Sequence, residues 1–535
     1  MKMWIGRCEQ EHKGTCGVAF ATREFVPTRL LDLKAFECDG PTHYGDDIKL
    51  VCSGTFNSDN KHPSYLTLSH CWGPPEKRPI TTTRATLEAN KNRIPFTSLS
   101  RTFRDAVVIT RNLGQRYLWI DSLCIVQDDE KDWAQEASQM AKVYSCSYCT
   151  LAALSSSDSS GGLSMTKPRR LSMYVVHGPN NSKYRLHIPK ERYNSQDISW
   201  NGWYGEYDGS TDDSPLRYRA WALQERELST RTIYFGSHQL LWECRYGQAC
   251  THIPWRWLDD ERKEVPSSGV VTEPKPFSER LNIIRRNWTT IVEDYSRRSL
   301  TKQTDKLTAL SGIAQSYQAW FPETTYMAGI WSLLLPECLL WVTSSKSSRR
   351  APTYVAPTWS WASVISPIDY EMQNIGYRTN WCIAPTSYSV SLRPKHDDPY
   401  GALVSAALFP HNAILVQLDS EFCSRHDGAY YYSAMQNLES RENMVFLTKN
   451  GFAAGMAFLD VMEEEEVSSE KTELACLILS EAAYETRPYL RFMGLLLRRD
   501  SSDDESIYLY RRIGLAFEIP ASLAEDVERC TVGLV

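Results

Sequence analysis

The sequence predicts an α/β domain on a parallel sheet with helices on both faces, followed by a helical segment and a β-rich C-terminal region. Three observations predict it. Residues 61–230 alternate short apolar runs with stretches of helical period. Residues 280–345 carry apolar side chains at helical spacing, first Trp288, Ile291, Val292 and Tyr295, then Leu307, Leu310, Ile313 and Ala314. Beyond residue 365 the runs shorten again, at 474–479, 494–497, 507–510 and 513–517. The expected division is an N-terminal leader at 1–60, the α/β domain at 61–230, a hairpin and helical region at 231–345, and a β-rich region at 346–535.

In the α/β domain, Tyr65–Ser69 reads as a strand that Gly73-Pro74-Pro75 stops. Residues 83–92 read as a short helix. Phe103, Ala106, Val107, Ile109 and Thr110 give a second helix, ended by Gly114. Tyr117–Asp121 is a continuous apolar run of the kind buried on both faces. A helix is expected over 129–144, capped by Asp128 or Asp129, then a strand over 149–154. Residues 165–215 read as polar and irregular. Residues 216–227 read as helix, and 232–235 with 239–244 as a hairpin around Gly236-Ser237. The run 328–342 reads as buried helix on either side of Pro336, too short for a bilayer span. Thr358–Ser363 alternates like a strand, and Glu463–Glu466 is a solvated acidic run.

Composition bounds the rest. The chain has 535 residues, 42% hydrophobic and 23% charged, with net charge -6. That is ordinary globular composition and argues against general polyanion binding. Nucleic acid and a membrane span are therefore not expected as partners. The 15 cysteines are scattered, so reduced thiols in a cytoplasmic protein are expected. The N-terminus turns charged and polar too soon for a secretory signal. The chain lacks G-x-x-x-x-G-K-[ST], G-x-G-x-x-G after a strand, G-x-S-x-G and H-E-x-x-H, which disfavours P-loop NTPases, classical dehydrogenases, α/β-hydrolases and zincins.

The sharpest candidate residue is Glu136. Trp133, Glu136, Ala137, Met140, Val143 and Tyr144 share one stripe, so a carboxylate sits on the apolar face of its helix. It is either a buried Glu with a structural partner or a carboxylate at the sheet end. Asp121, Ser69 and Trp72 fall where ligand-facing residues of open α/β sheets emerge, and Trp133 opens the helix beside them. These polar groups and two indoles suit a planar heteroaromatic ring on a ribose. Three cysteine groupings are weaker. Cys8, His12 and Cys16 recur every four residues, but a metal would want a fourth ligand, and Gly14 and Gly17 weaken the helix. Cys146 and Cys149 have redox spacing without a second pair. Cys244, Cys250 and His252 form a loose trio. Packing is the plainer reading of all three, and no metal is expected.

Several stretches together resemble the fungal heterokaryon-incompatibility (HET) domain family. They are Tyr65–Gly73, Phe103–Ala106, Leu113–Asp129, Asp132–Glu136 with Met140 and Tyr144, and Arg219-Ala220-Trp221-Ala222-Leu223-Gln224-Glu225. Tyr326–Trp331 and Ala356–Ala362 look like the segments C-terminal to this domain in its commonest architecture. The first motif usually has Tyr where this chain has His70, which puts a titratable group at the sheet end. The resemblance implies fungal non-self recognition and regulated cell death, and a distant TIR-like relationship for the sheet. Asp132-Trp133…Glu136 is similar to the Trp-then-Glu helix of TIR-type NAD glycohydrolases, one residue shorter than in some of them. By that likeness Glu136 is catalytic, Ser69, Trp72, Asp121 and Trp133 bind substrate, NAD is the substrate, and no cofactor is required. The active form would be a homo-oligomer with an unknown protein partner for recognition. The competing readings are a non-enzymatic oligomerising signalling module and an accessory protein of a biosynthetic gene cluster.

Overall fold

The computed structural model describes residues 1–17, 25–36, 46–55, 62–164, 171–177, 183–189, 214–237, 239–251, 253–259, 276–343, 347–370, 378–384, 386–395, 398–419, 444–450, 452–461, 473–483, 491–500, 509–525 and 527–535. They form two compact units, Met1–Glu273 and Pro274–Val535. The acidic run at 463–466 lies outside the described residues.

The first unit contains α1 (Lys2–Glu11), β1 (Arg29–Asp32), β2 (Lys49–Cys52), β3 (Tyr65–Ser69), α2 (Leu87–Asn92) and α3 (Arg101–Asn112). Then come β4 (Tyr117–Ile120), the single turn α4 (Asp121–Cys124), α5 (Glu130–Ser145) and β5 (Cys149–Ala152). A hairpin of β6 (Leu171–His177) and β7 (Lys183–Pro189) precedes α6 (Ala220–Leu228). The unit closes with β8 (Arg231–Phe235), β9 (Leu240–Cys244), β10 (Gly247–Cys250) and β11 (Ile253–Asp259).

One nine-stranded sheet runs β11-β10-β9-β8-β5-β3-β4-β1-β2. Its centre is parallel, with β3 between β4 and β5, and β5 beside β8. In chain order the parallel strands therefore stand second, first, third, fourth. The order reverses at β3, which makes the crevice beyond its C-terminal end a topological switch point. Every residue of β3, β4, β5 and β8 is buried, as their unbroken apolar runs require. The sheet extends through both ends of the expected domain. From the segment expected as a leader, β1 pairs on β4 and β2 on β1, and β9–β11 continue from β8. In residues 165–215, read as irregular, the described part includes the β6–β7 ladder, whose backbone pairing leaves little trace in hydropathy.

Local chemistry explains the helix ends. Asp129 caps α5, its carboxylate accepting from the N–H groups of Lys131 and Asp132. Gly114 takes φ +80 just past α3, where a Cβ would strain the turn. Gly73 also has positive φ, and a Cβ there would meet that of Asp158 at 2.5 Å. This close approach packs the loop after β3 against the loop after β5.

The second unit has two long helices, α7 (Phe277–Ser296) and α8 (Thr308–Trp320), and an eleven-stranded, mostly antiparallel sheet. The strands expected at 474–479 and 494–497 are found at Leu474–Ala483 and Arg491–Arg499. The runs at 507–510 and 513–517 fall on one strand, Leu509–Pro520. Two expectations are corrected. Residues 328–342 are not helical: Ala328 and Gly329 take positive φ, and short strands and 3-10 turns come next. Pro336, with no N–H to give, suits that path. The alternation at 358–363 is not a strand but a 3-10 turn, Trp361–Ser363, whose Ala362 N–H is capped by the Ser360 hydroxyl. Trp359, Ser360 and Trp361 are all fully buried, so alternation in sequence has no counterpart in exposure. The Gly329 carbonyl accepts from the indoles of Trp288 at 3.0 Å and Trp361 at 2.8 Å. A Cβ on Gly329 would stand 2.7 Å from the Trp361 indole nitrogen.

Arg512 is fully buried in this unit. It donates to both Asp460 oxygens, at 3.1 and 3.2 Å, and to the Trp341 carbonyl at 2.6 Å, with its guanidinium 3.5 Å from the Trp341 ring centroid. Removing one partner strands the other charge, so Asp460→Ala should cost about 3–5 kcal/mol in denaturant unfolding. Glu473→Gln, at an exposed pair with Arg499, should cost under about 1 kcal/mol. Equal effects would refute this ranking.

Candidate functional site

The C-terminal ends of β3 and β4 carry Ser69-His70-Cys71-Trp72 and Asp121. The Trp72 indole donates to Asp121 Oδ2 at 2.8 Å, and the Ser122 N–H donates to Oδ1 at 2.7 Å. His70 Nδ1 lies 3.8 Å from the same Oδ1, and its ring meets Phe103 edge-on at 5.1 Å. His70 is 1% exposed, and neither ring nitrogen has a hydrogen bond of ordinary geometry. Burial holds its imidazole down at about 4, against the pull of Asp121 and with Arg219 pushing the same way. It is neutral at pH 7.

Helix α6 brings the second half of the site. Glu225 is 2% exposed. Burial pushes its carboxyl up to about 7, against the Arg219 guanidinium and hydrogen bonds from Ser69 and Tyr144, while Asp121 adds to the rise. The Tyr144 hydroxyl also lies 3.4 Å from the Leu68 carbonyl. Half-buried Arg219 stays charged because Glu225 and Asp121 offset its desolvation. A run of hydroxyls fixes α6 over the strands: Thr67 to Thr150 at 2.7 Å, Thr150 to Ser229 at 2.6 Å, and Ser229 to the Glu225 carbonyl at 2.6 Å. Arg226 holds the same helix to β9 by a two-pronged pair with buried Glu243, at 2.9 and 3.1 Å.

Glu136 occupies a neighbouring group at the same end of the sheet. It is 1% exposed, 3.6 Å from Arg29 Nη2, and neither oxygen has a hydrogen bond of ordinary geometry. Burial raises its carboxyl, opposed by Thr28 and Arg29. Arg29 is already engaged, donating to Asp132 Oδ1 at 2.7 Å and to the Cys124 carbonyl at 2.6 Å. Of the residues singled out from sequence, the structure thus joins Trp72 to Asp121, and puts Ser69 in hydrogen-bond reach of Glu225. Trp133 packs edge-on against Trp221 of α6, with centroids 6.4 Å apart. Glu136 instead faces Arg29 and Asp132.

Sequence reasoning missed Arg219, Glu225 and Tyr144 as site residues. A signal existed: Trp221 and Glu225 stand four apart on one helix, and Arg219 directly precedes it. Their convergence on Asp121 needed the fold. Elsewhere in this unit Cys8, His12, Cys16 and Cys244, of which the sequence reading grouped only the first three, come together. His252 lies outside the described residues.

Residues 65–225 match a family model described as heterokaryon incompatibility protein (HET). The match opens on the first residue of β3 and ends on Glu225, so it includes Ser69, His70, Trp72, Asp121, Arg219 and Glu225, while Arg29 lies before it. It supports reading the chain as a heterokaryon-incompatibility domain protein. No curated protein and no solved structure matches the chain. Among the described residues, no helix is long and apolar enough to cross a membrane.

Two buried groups give opposite linkage. Glu225 has a folded value raised from 4.5 to about 7, so its contribution to stability is full below about 4.5 and is lost as pH rises through about 7. His70 is depressed from 6.5 to about 4, so its contribution is present above about 6.5 and is lost as pH falls through about 4. Denaturant unfolding from pH 4 to 8 should therefore show Glu225→Gln gaining on wild type as pH rises. His70→Phe should gain on wild type as pH falls. Parallel curves for either variant would contradict its assignment.

Proposed function

We propose that this chain is a fungal heterokaryon-incompatibility effector, whose TIR-like domain cleaves the nicotinamide–ribose bond of NAD when non-self contact triggers cell death. The observation that carries this is the buried Glu225 carboxylate, held with Arg219, Asp121 and Ser69 at the switch point of a doubly wound parallel sheet. The heterokaryon-incompatibility match supports the biological role, and the strand order supports the TIR-like reading.

Hydrolysis of this bond needs one carboxylate. The C1′–N bond breaks with its electron pair going to nicotinamide, which leaves neutral and needs no proton. The ribose becomes oxocarbenium-like, as in glycoside hydrolysis. An ionised Glu beside it stabilises the cation. Water then adds at C1′ and gives up its proton to the carboxylate, leaving ADP-ribose. Asp121 and Ser69 orient ribose or phosphate, and half-buried Trp72 and Trp133 offer ring faces for stacking. No metal or redox cofactor enters the balance.

Two carboxylates compete for the role. Glu136 lies three residues after Trp133 and is paired with Arg29. Glu225 lies four after Trp221, the longer spacing found in some TIR-type enzymes, and faces Asp121 and Ser69. We assign the chemistry to Glu225 and keep Glu136 as the alternative.

Nicotinamide release from NAD by the full chain, at low and high protein concentration, decides between them. Glu225→Gln should lower turnover by about 100-fold or more, as expected when a group aimed at the transition state is lost. Glu136→Gln should stay within about tenfold of wild type. The wild-type rate should rise with pH through about 7 as Glu225 ionises. The reverse ranking would return the role to Glu136. Absence of turnover in concentrated, associated wild type would favour the signalling-module reading.

A further inference from the structure

We propose that Cys8, His12, Cys16 and Cys244 form a closed, four-coordinate zinc site that fastens the N-terminal helix to strand β9 of the central sheet. The Cys8–His12–Cys16 spacing alone wanted a fourth ligand. The fold supplies it from the end of β9.

The geometry is that of one small ion. The ligand atoms of all four residues lie within 4.8 Å of one another, and all four residues are buried. His12 Nδ1 is 3.6 Å from Cys244 Sγ. A tetrahedral zinc with bonds of about 2.3 Å to sulfur and about 2.0 Å to nitrogen sets its ligands roughly 3.5–3.8 Å apart. The pieces come from separate parts of the chain. Cys8 lies on α1, His12 ends that helix, and Cys16 lies in the π-helical turn Lys13–Gly17. That turn lets Cys16 stay near the same axis despite Gly14 and Gly17. Cys250, which sequence spacing grouped with Cys244, is not in the set.

The surroundings are those of ligands held for a cation. The Arg231 guanidinium donates to Cys8 Sγ at 3.2 Å. The backbone N–H of Tyr246 points to the Cys16 sulfur, and that of Gly247 to the Cys244 sulfur. The Thr15 hydroxyl lies 3.8 Å from Cys16 Sγ. The Tyr246 ring stacks on His12 with centroids 4.0 Å apart, fixing the plane of the imidazole. Charge balances as well. Three thiols lose three protons on binding, so three thiolates and one Zn²⁺ leave a net single negative charge, which Arg231 neutralises. Soft thiolates with one imidazole select zinc over calcium or magnesium. Four protein ligands leave no open position, so the ion is structural rather than catalytic. Trp4 of α1 packs against Trp242 of β9 at 6.2 Å, along the same seam.

Metal analysis of the full chain, purified without chelator, tests this. About one zinc per chain is expected, released by an organomercurial and captured by a chromogenic chelator. That reading needs no variant. Cys16→Ser and Cys244→Ser should each lose most of the zinc, and Cys250→Ser should keep it. Cobalt exchanged into wild type should give tetrahedral visible bands with thiolate charge transfer. His12→Cys should keep metal and shift those bands toward an all-thiolate set. Folded wild type holding less than a tenth of an equivalent, a disulfide among the three cysteines by mass spectrometry, or zinc unchanged by Cys16→Ser and Cys244→Ser would overturn the proposal.

Discussion

A carboxylate buried at the end of an apolar sheet is less costly when a cation faces it. That constraint organises the first unit. Arg219 interacts with both Glu225 and Asp121 and makes the burial of each less costly, while the two carboxylates repel each other. The offset is incomplete, so Glu225 titrates near neutrality rather than as an ordinary surface acid.

The scaffold keeps that balance in place. The hydroxyls of Thr67, Thr150 and Ser229 tie β3, β5 and α6 together beneath the charges. The Arg226–Glu243 pair ties the same helix to β9. Gly73 lets the loop bearing Trp72 close on Asp158, which places the indole where it can reach Asp121. The group of Arg29, Asp132 and Glu136 solves a similar problem beside it. β1 runs antiparallel to β4, so Arg29 at its start comes to the end of β4 that carries Asp121. Glu136 is thereby a buried carboxylate with a cation of its own.

The parallel core was readable from residues alone. Unbroken runs such as Tyr117–Ile120 can only be strands buried on both faces, and Asp129 and Gly114 announce helix ends by their local chemistry. Ser69, Trp72 and Asp121 were found because strand ends are where such sheets bind ligands. Glu225 was not, since on α6 it sits among Ala222, Leu223 and Leu228 as one polar residue in an ordinary helix. The runs at 328–342 and 358–363 misled for a related reason. Apolar pattern reports burial, and in the second unit these runs are buried as turns, with Trp288 of α7 and Trp361 of one turn both donating to the Gly329 carbonyl.

The sequence by itself determined what local forces decide: the parallel strands, the helices between them, and the family likeness carried by its motifs. The tertiary structure alone decided which charges share a site and which thiols share a cluster. Cys244 meets Cys8, His12 and Cys16, and Glu225 meets Asp121, across long stretches of chain. Such meetings depend on how strands order themselves in a sheet, and strand order leaves no periodicity in the chain.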